Sequence, residues 1–265
     1  TLYGLKAEMV GDPSVTLKEL DGTMGQVQVC YQIHLTDSAN QVRTLDVKDY
    51  YTMRWNEQRI YMMNYSRQAD EVFSEIQPEI SGKRLMLGIT NDQMVSSLKS
   101  PDHTYIAFET NRELWRYDQE EGELLRIFSF AGVGDEDIRS SYDSHDIKIL
   151  SVRDNGDVYF LVYGYMNRGT AEGQMGVTLY HYIQNRDTVQ ENIFIPVEES
   201  FESLQWELNH LAYLNENEML YLLLNQSICG IDLSSNELVV VARGLTLGEY
   251  AVSSNQQRIA WKEET

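Results

Sequence analysis

Proline and cysteine are scarce in this 265-residue chain, at four and two, and positive charge is in short supply: 21 Lys+Arg stand against 41 Asp+Glu, a formal charge of −20. Each shortage excludes something. Phosphates need Lys and Arg to neutralise them, so nucleic acid is not an expected partner, and anionic membrane surfaces are disfavoured on the same grounds. No run of about 18 apolar residues occurs, so no direct membrane insertion is expected of this segment. Cys30 and Cys229 lie 199 residues apart and match no zinc or CxxC spacing. Two separate buried thiols are expected, since a disulfide needs a closeness of Cα atoms that sequence does not show. The chain opens at Thr1 with neither Met nor a signal-like segment, as expected of a portion of a longer protein.

Catalytic and cofactor signatures are missing too. There is no G-x-S-x-G elbow. The five histidines, His34, His103, His145, His181 and His210, show no HExxH or His-x-His spacing. Ser144-His145-Asp146 has the residue types of a triad, but neighbours on a strand point to opposite faces, so the segment reads as a polar loop entering a strand. Gly132-x-Gly134 follows an apolar run, yet Asp137 takes the place of a third glycine and the acids there would repel a pyrophosphate. Asp135, Glu136, Asp137, Asp143 and Asp146 do not follow the EF-hand order and read as a solvated acidic loop. No cofactor or metal is expected.

What the chain does have is tyrosine, 17 residues against 7 Phe and 4 Trp, with a 42% hydrophobic fraction ordinary for a globular protein. Tyr and β-branched residues between polar turns suit half-buried pleated surfaces. Five segments repeat a polar turn followed by an apolar alternating strand, anchored at Ile60, Ile106, Val158, Leu220 and Ile259. The anchors are 46, 52, 62 and 39 residues apart. Periods of about 40–50 residues with several short strands each mark propeller blades. The expected fold is therefore all-β, a β-propeller of four-stranded antiparallel blades, about four and a half to six in number. The blades are placed at about 46–90, 91–130, 145–195, 205–242 and, incomplete, 246–265. Residues 1–45 supply strands (Met24–Leu35 among them). Because open edges are a liability, the incomplete last blade is expected to be filled either by these strands or by a native chain that continues beyond Thr265 as part of a larger propeller, with continuation preferred. Only Val197–Leu208 looks helical, for about one turn. The five anchors, Trp115 and Trp261 are expected inside, between sheets.

In the second unit, Ser100-Pro101-Asp102, Tyr105-Ile106-Ala107-Phe108, Leu114-Trp115-Arg116-Tyr117-Asp118 and Glu121-Gly122-Glu123 resemble the blade repeat of TolB-type propellers, and that of prolyl-oligopeptidase-like propellers. The family has Gly after the Pro-Asp pair where this chain has His103. The close match covers about residues 97–130. Resemblance to TolB implies protein–protein contacts outside the cytoplasm; resemblance to the peptidases implies a gate beside a hydrolase domain.

These readings converge on a non-catalytic protein-interaction or sensor propeller, extracytoplasmic or at a bacterial cell surface, within a larger protein. Two alternatives stand beside it: a propeller carbohydrate-active enzyme using a funnel carboxylate pair, and a gating propeller for a separate hydrolase. Tyr159, Tyr163 and Tyr165 could offer the former sugar-stacking faces, but on the strand pattern they read as plain packing. The third unit points to a binding face. Its extra length falls in Ala131–Ser144, Asn167–Gly176 and Pro196–Leu208, which an up-and-down blade places at one end. Asp135, Glu136, Asp137, Arg168, Glu172 and Gln174 are the expected contacts, their acids suited to a basic protein surface or a cation.

Overall fold

The computed structural model describes residues 6–36, 40–73, 80–81, 84–90, 95–131, 137, 139–140, 142–235, 237–245, 250–253 and 258–262. The chain divides into two compact units, Thr1–Met94 and Val95–Thr265.

The first unit is built on four long strands, β1 (Lys6–Asp21), β2 (Met24–Thr36), β3 (Val42–Trp55) and β4 (Ile60–Glu71), in one antiparallel meander of order β1-β2-β3-β4. A two-residue ladder, β5 (Ile80–Ser81) with β6 (Arg84–Leu85), follows. The expected division between 1–45 and a first blade at 46–90 cuts through the four-stranded sheet: residues 24–36 pair with 42–54, and β3 pairs with β4. Ile60 is likewise corrected. It starts the fourth strand of this sheet and is 61% exposed, not an interior anchor. Its turn is genuine, since Asn56 accepts from the amides of Gln58 and Arg59 through Oδ1, but it is a plain hairpin turn between β3 and β4.

The second unit is a run of propeller blades. β7 (Ser97–Lys99), β8 (Tyr105–Thr110), β9 (Glu113–Asp118) and β10 (Glu123–Phe128) form the first. β11 (His145–Val152), β12 (Val158–Tyr165), β13 (Met175–Ile183) and β14 (Thr188–Pro196) form the second. A helix, α1 (Phe201–His210), leads into the third: β15 (Ala212–Leu214), β16 (Met219–Leu224), β17 (Ser227–Asp232) and β18 (Glu237–Ala242). The hairpin β19 (Tyr250–Val252) and β20 (Ile259–Trp261) comes last. Each complete blade is a four-stranded antiparallel meander. The leading strand β11 packs against β7 and β8 on one side and β15 on the other, as leading strands do when blades are arrayed about a common axis.

Burial follows from strand periodicity. Successive side chains point to opposite faces, so a strand sandwiched between blades is apolar on both. On β12, Val158, Phe160 and Val162 join one core with Ala107, Leu114 and Ile127 of the preceding blade. Leu161 and Tyr163 join another with Leu220 and Leu222 of the following blade. Ile106, Val158, Leu220 and Ile259 sit at or within a residue of the start of the second strand of successive sheets; Val158 and Leu220 are buried, Ile106 and Ile259 half-buried. Trp115 is buried as expected. Trp261 is not: it is 37% exposed on a hairpin whose β20 pairs with β19 alone among the described residues. Cys229 is buried, Cys30 only half-buried, and neither forms a disulfide.

Adjacent blades are also riveted by polar groups. Arg116 of β9 is buried, its guanidinium over the rings of Tyr105 and Tyr182 and its Nη1 3.4 Å from the carbonyl of Gly156. The amide of Asp102 donates to Asp154 Oδ1, joining the repeated turns of two blades. His103 takes φ +66°, a left-handed turn conformation held at the steric cost of a side chain. Around it Asp102 Oδ1 accepts from Ser100 Oγ and the Thr104 amide.

The helix is longer than the single turn expected. Ser200 caps it by accepting from the Ser203 amide, and Leu204, Glu207 and Leu208 line one face at helical spacing, all buried. The aliphatic pair wedges into the core shared by the second and third blades.

Candidate functional site

The three length insertions of the β11–β14 blade meet at one end of that sheet. Tyr142, Asp143 and Ser144 run into β11, residues 166–174 join β12 to β13, and α1 follows β14. Asn167 ties the first two together. Its side chain is buried and its Nδ2 donates to the carbonyls of Ser140 and Tyr142, at 3.1 and 2.8 Å. The 166–174 loop is rooted in the core through Met166 and Ala171 and closed on itself, Met166 and Gln174 pairing backbone to backbone. The third insertion reaches the same end: the Val197 amide donates to Met175 O, and Gln205 Nε2 donates to Asp146 Oδ2. Phe201 packs on Gly164, whose backbone (φ +110°) lies so near Ser144 O that no Cβ fits.

Of the six expected contacts, the structure brings Asp137, Arg168 and Glu172 together and adds Arg139. Arg139 binds Asp137 at 2.6 Å and Glu172 at 2.8 Å. Arg168 binds Asp137 at 2.8 Å and approaches Glu172 at 3.6 Å. Two acids thus face two guanidiniums in a closed ring. Arg139, with Arg168 beside it, holds the Asp137 carboxyl far below the ordinary carboxylate range, and Asp137 in turn pushes the Arg139 guanidinium up. Asp137, expected in a solvated acidic loop, is paired instead, and the charges of Asp137 and Glu172 are compensated within the loop pair. Gln174 is exposed beside them. Asp135 and Glu136 lie outside the described residues. Among the described residues no group of His, Cys, Asp and Glu is arranged to hold a metal ion.

Sequence reasoning passed over Arg139, Asn167 and Tyr142. Arg139 carried a signal, standing two residues from Asp137, close enough for its amide and side chain both to reach that carboxylate. Asn167 carried none, because the carbonyls it holds are 25 and 27 residues away.

The triad-like segment is structural. His145 is buried edge-to-face against Phe130, and burial, with Arg112 nearby, lowers its pKa to about 4. Asp146 turns the other way, accepting from Tyr163 and Gln205. Tyr159, Tyr163 and Tyr165 are used for packing, as their alternation along the strand indicates. Tyr159 stacks on His181 at 4.0 Å, Tyr163 is buried, and Tyr165 lies edge-on to Tyr142.

No protein-family model and no curated protein sequence matches the chain. Among solved structures it is similar to a candidate 6-phosphogluconolactonase from Bacteroides uniformis, at 8% identity and a TM-score of 0.35, over 86% of this chain and 83% of that one. It is similar to the tricorn protease at 13% identity and TM-score 0.34, over 94% of this chain but 22% of the protease. The extracellular domain of a candidate one-component system of B. thetaiotaomicron gives 12% identity and TM-score 0.35, over 95% of this chain and 32% of that one. All three TM-scores are low, and the propeller fold rests on the blade topology alone.

Proposed function

We propose that this chain is a non-catalytic interaction propeller, working outside the cytoplasm, which binds a protein partner through the loop end of the β11–β14 blade. The observation that supports the reading is the pinned loop pair. Asn167 and the Asp137–Arg139–Arg168–Glu172 ring hold two separate insertions as one surface, while Tyr142, Arg139, Glu172 and Gln174 remain exposed on it. Binding residues collect on loops held by a rigid scaffold, and a pre-ordered surface loses less conformational freedom on association. The partner that suits it carries mixed charge and a polar rim, in place of the purely basic surface that bare acids would select.

The test compares two baits, the wild-type chain and a Y142A/R139A/E172A/Q174A variant with unchanged circular dichroism. A partner retained by the first and lost by the second, with affinity falling as salt rises, supports the reading. A partner whose affinity survives all four substitutions refutes it.

A further inference from the structure

Register divides the N-terminal sheet into two chemically different faces. One carries rows such as Thr16–Gln28–Tyr50–Ser66 and Glu19–Gln26–Thr52–Asn64. The other carries Leu17–Val27–Tyr51–Tyr65, then Leu20–Gly25–Met53–Met62, and ends on the pair Trp55–Ile60. An antiparallel sheet patterned in this way ordinarily buries its apolar face. Here one end of that face is covered at its middle strands, where Ile33, Leu35 and Val47 are buried, while Met9 beside Ile33 on β1 is exposed. The other end is open, with Leu17, Leu20 and Met62 exposed by 59%, 70% and 65%.

Three observations select the occupant. The first is area. Val15, Leu17, Leu20, Trp55, Ile60 and Met62 are each more than half exposed; at roughly 100 Å² apiece, with half-buried neighbours between them, they approach the ~800 Å² per partner of a stable interface. The second is charge. The face holds two charged pairs, Arg43 with Glu71 and Asp49 with Arg67, and both are internally matched: Arg43 lies 3.5 Å from Glu71, while Arg67 donates to both Asp49 carboxylate oxygens at 2.7 Å, and Tyr31 and Tyr65 add donors at 3.0 Å. The unit as a whole carries 9 Lys+Arg against 13 Asp+Glu, whereas residues 95–265 carry 12 against 28, so most of the chain's negative charge lies in the other unit. Such a face asks for no oppositely charged partner, and repulsion between two copies of it is small. The third is self-complementarity. Slim aliphatics lie on the β1 side and larger side chains on the β4 side of the same rows. A two-fold axis running along the strands lays β1 of one copy over β4 of the other, setting Leu17 against Tyr65 and Leu20 against Met62 at matched levels.

We propose that the open apolar face of the N-terminal sheet is the interface of a homodimer, formed by two copies packing face to face about that axis. The proposal is independent of the loop end of the β11–β14 blade.

The test is the mass in solution of the whole 265-residue chain by sedimentation velocity and light scattering. The wild type is expected at twice 30.6 kDa at about 100 µM, a concentration at which a micromolar interface is filled. L20E and M62K are each expected to be monomeric with unchanged circular dichroism, because both side chains are already exposed, while N64E on the opposite face stays dimeric. The double variant L20E/M62K is expected to recover the dimer, since the axis brings the two new charges together. A wild-type monomer at that concentration overturns the proposal. So does a dimer indifferent to L20E and M62K, and failure of the double variant to recover overturns the axis.

Discussion

Glu207 is the buried carboxylate on which the third blade depends. It projects from α1 to accept the amides of Asn225 and Gln226 at 2.7 and 2.8 Å. These residues form the tight β16–β17 turn, both in left-handed backbone, at φ +49° and +56°. Neither is Gly, so the turn is strained and the carboxylate holds it shut. A hydrogen bond to a charged acceptor is worth about 1.5–3 kcal/mol. Set against the two bonds is the burial of the charge, which raises the Glu207 pKa above its ordinary value. Removing the side chain by Glu207→Ala should therefore cost about 2–4 kcal/mol, below the sum of the bonds. Glu207→Gln keeps one acceptor and turns an N–H toward the second amide, and should cost about 1 kcal/mol. The sign with pH follows. With the folded pKa raised, the buried charge costs stability as pH rises through that pKa, and Glu207→Gln should flatten this part of the profile. Urea unfolding gives the global cost; hydrogen exchange at Asn225 and Gln226 gives the local one. Faster exchange at these amides in both variants, with the order wild type, Gln, Ala, is the expected result. Unchanged protection in Glu207→Ala would refute the reasoning.

Other expectations follow from the second unit. His145 is held neutral with a pKa of about 4, so the stability it confers is complete above the unfolded value of about 6.5 and is lost as pH falls toward 4; melting temperature should drop over that window in the wild type and less in His145→Gln, and equal drops would count against the burial argument. Gly164→Ala must force a Cβ against Ser144 O at φ +110° and should cost more than about 2 kcal/mol, while Gly122→Ala, at φ +68° with open space around it, should cost about 1; equal urea midpoints would contradict this. Leu220→Ala, at a fully buried anchor, should cost about 2–5 kcal/mol by urea unfolding, and a loss no larger than that of an exposed site would show that the anchor is not core.

The blades of residues 97–242 were legible because their signals are local. Alternation of apolar and polar residues sets which strand positions can be buried, and Asp, Asn and Gly at the turns set where strands end. The same locality misled at Ile60. Asn56-Glu57-Gln58-Arg59 closes a hairpin with the same side-chain-to-backbone bonds as a blade turn, and a turn is the same object whichever sheet it serves. Helix α1 was underread for a related reason: Ser200 and the Leu204–Leu208 spacing mark it, but its length is supported by the blade core that receives those leucines.

Strand, turn and blade therefore belong to the amino-acid sequence itself, since backbone preference and side-chain period act within a few residues. Whether an acid is bare or compensated does not. Asp137 and Glu172 look like free negative charge until Arg139 and Arg168 are brought beside them, and Asp49 looks like a lone charge on a largely apolar face until Arg67 and two tyrosines close over it. Tertiary structure alone decided these pairings, because an electrostatic partner is defined by distance in space, and distance in space is fixed only when the sheets have formed.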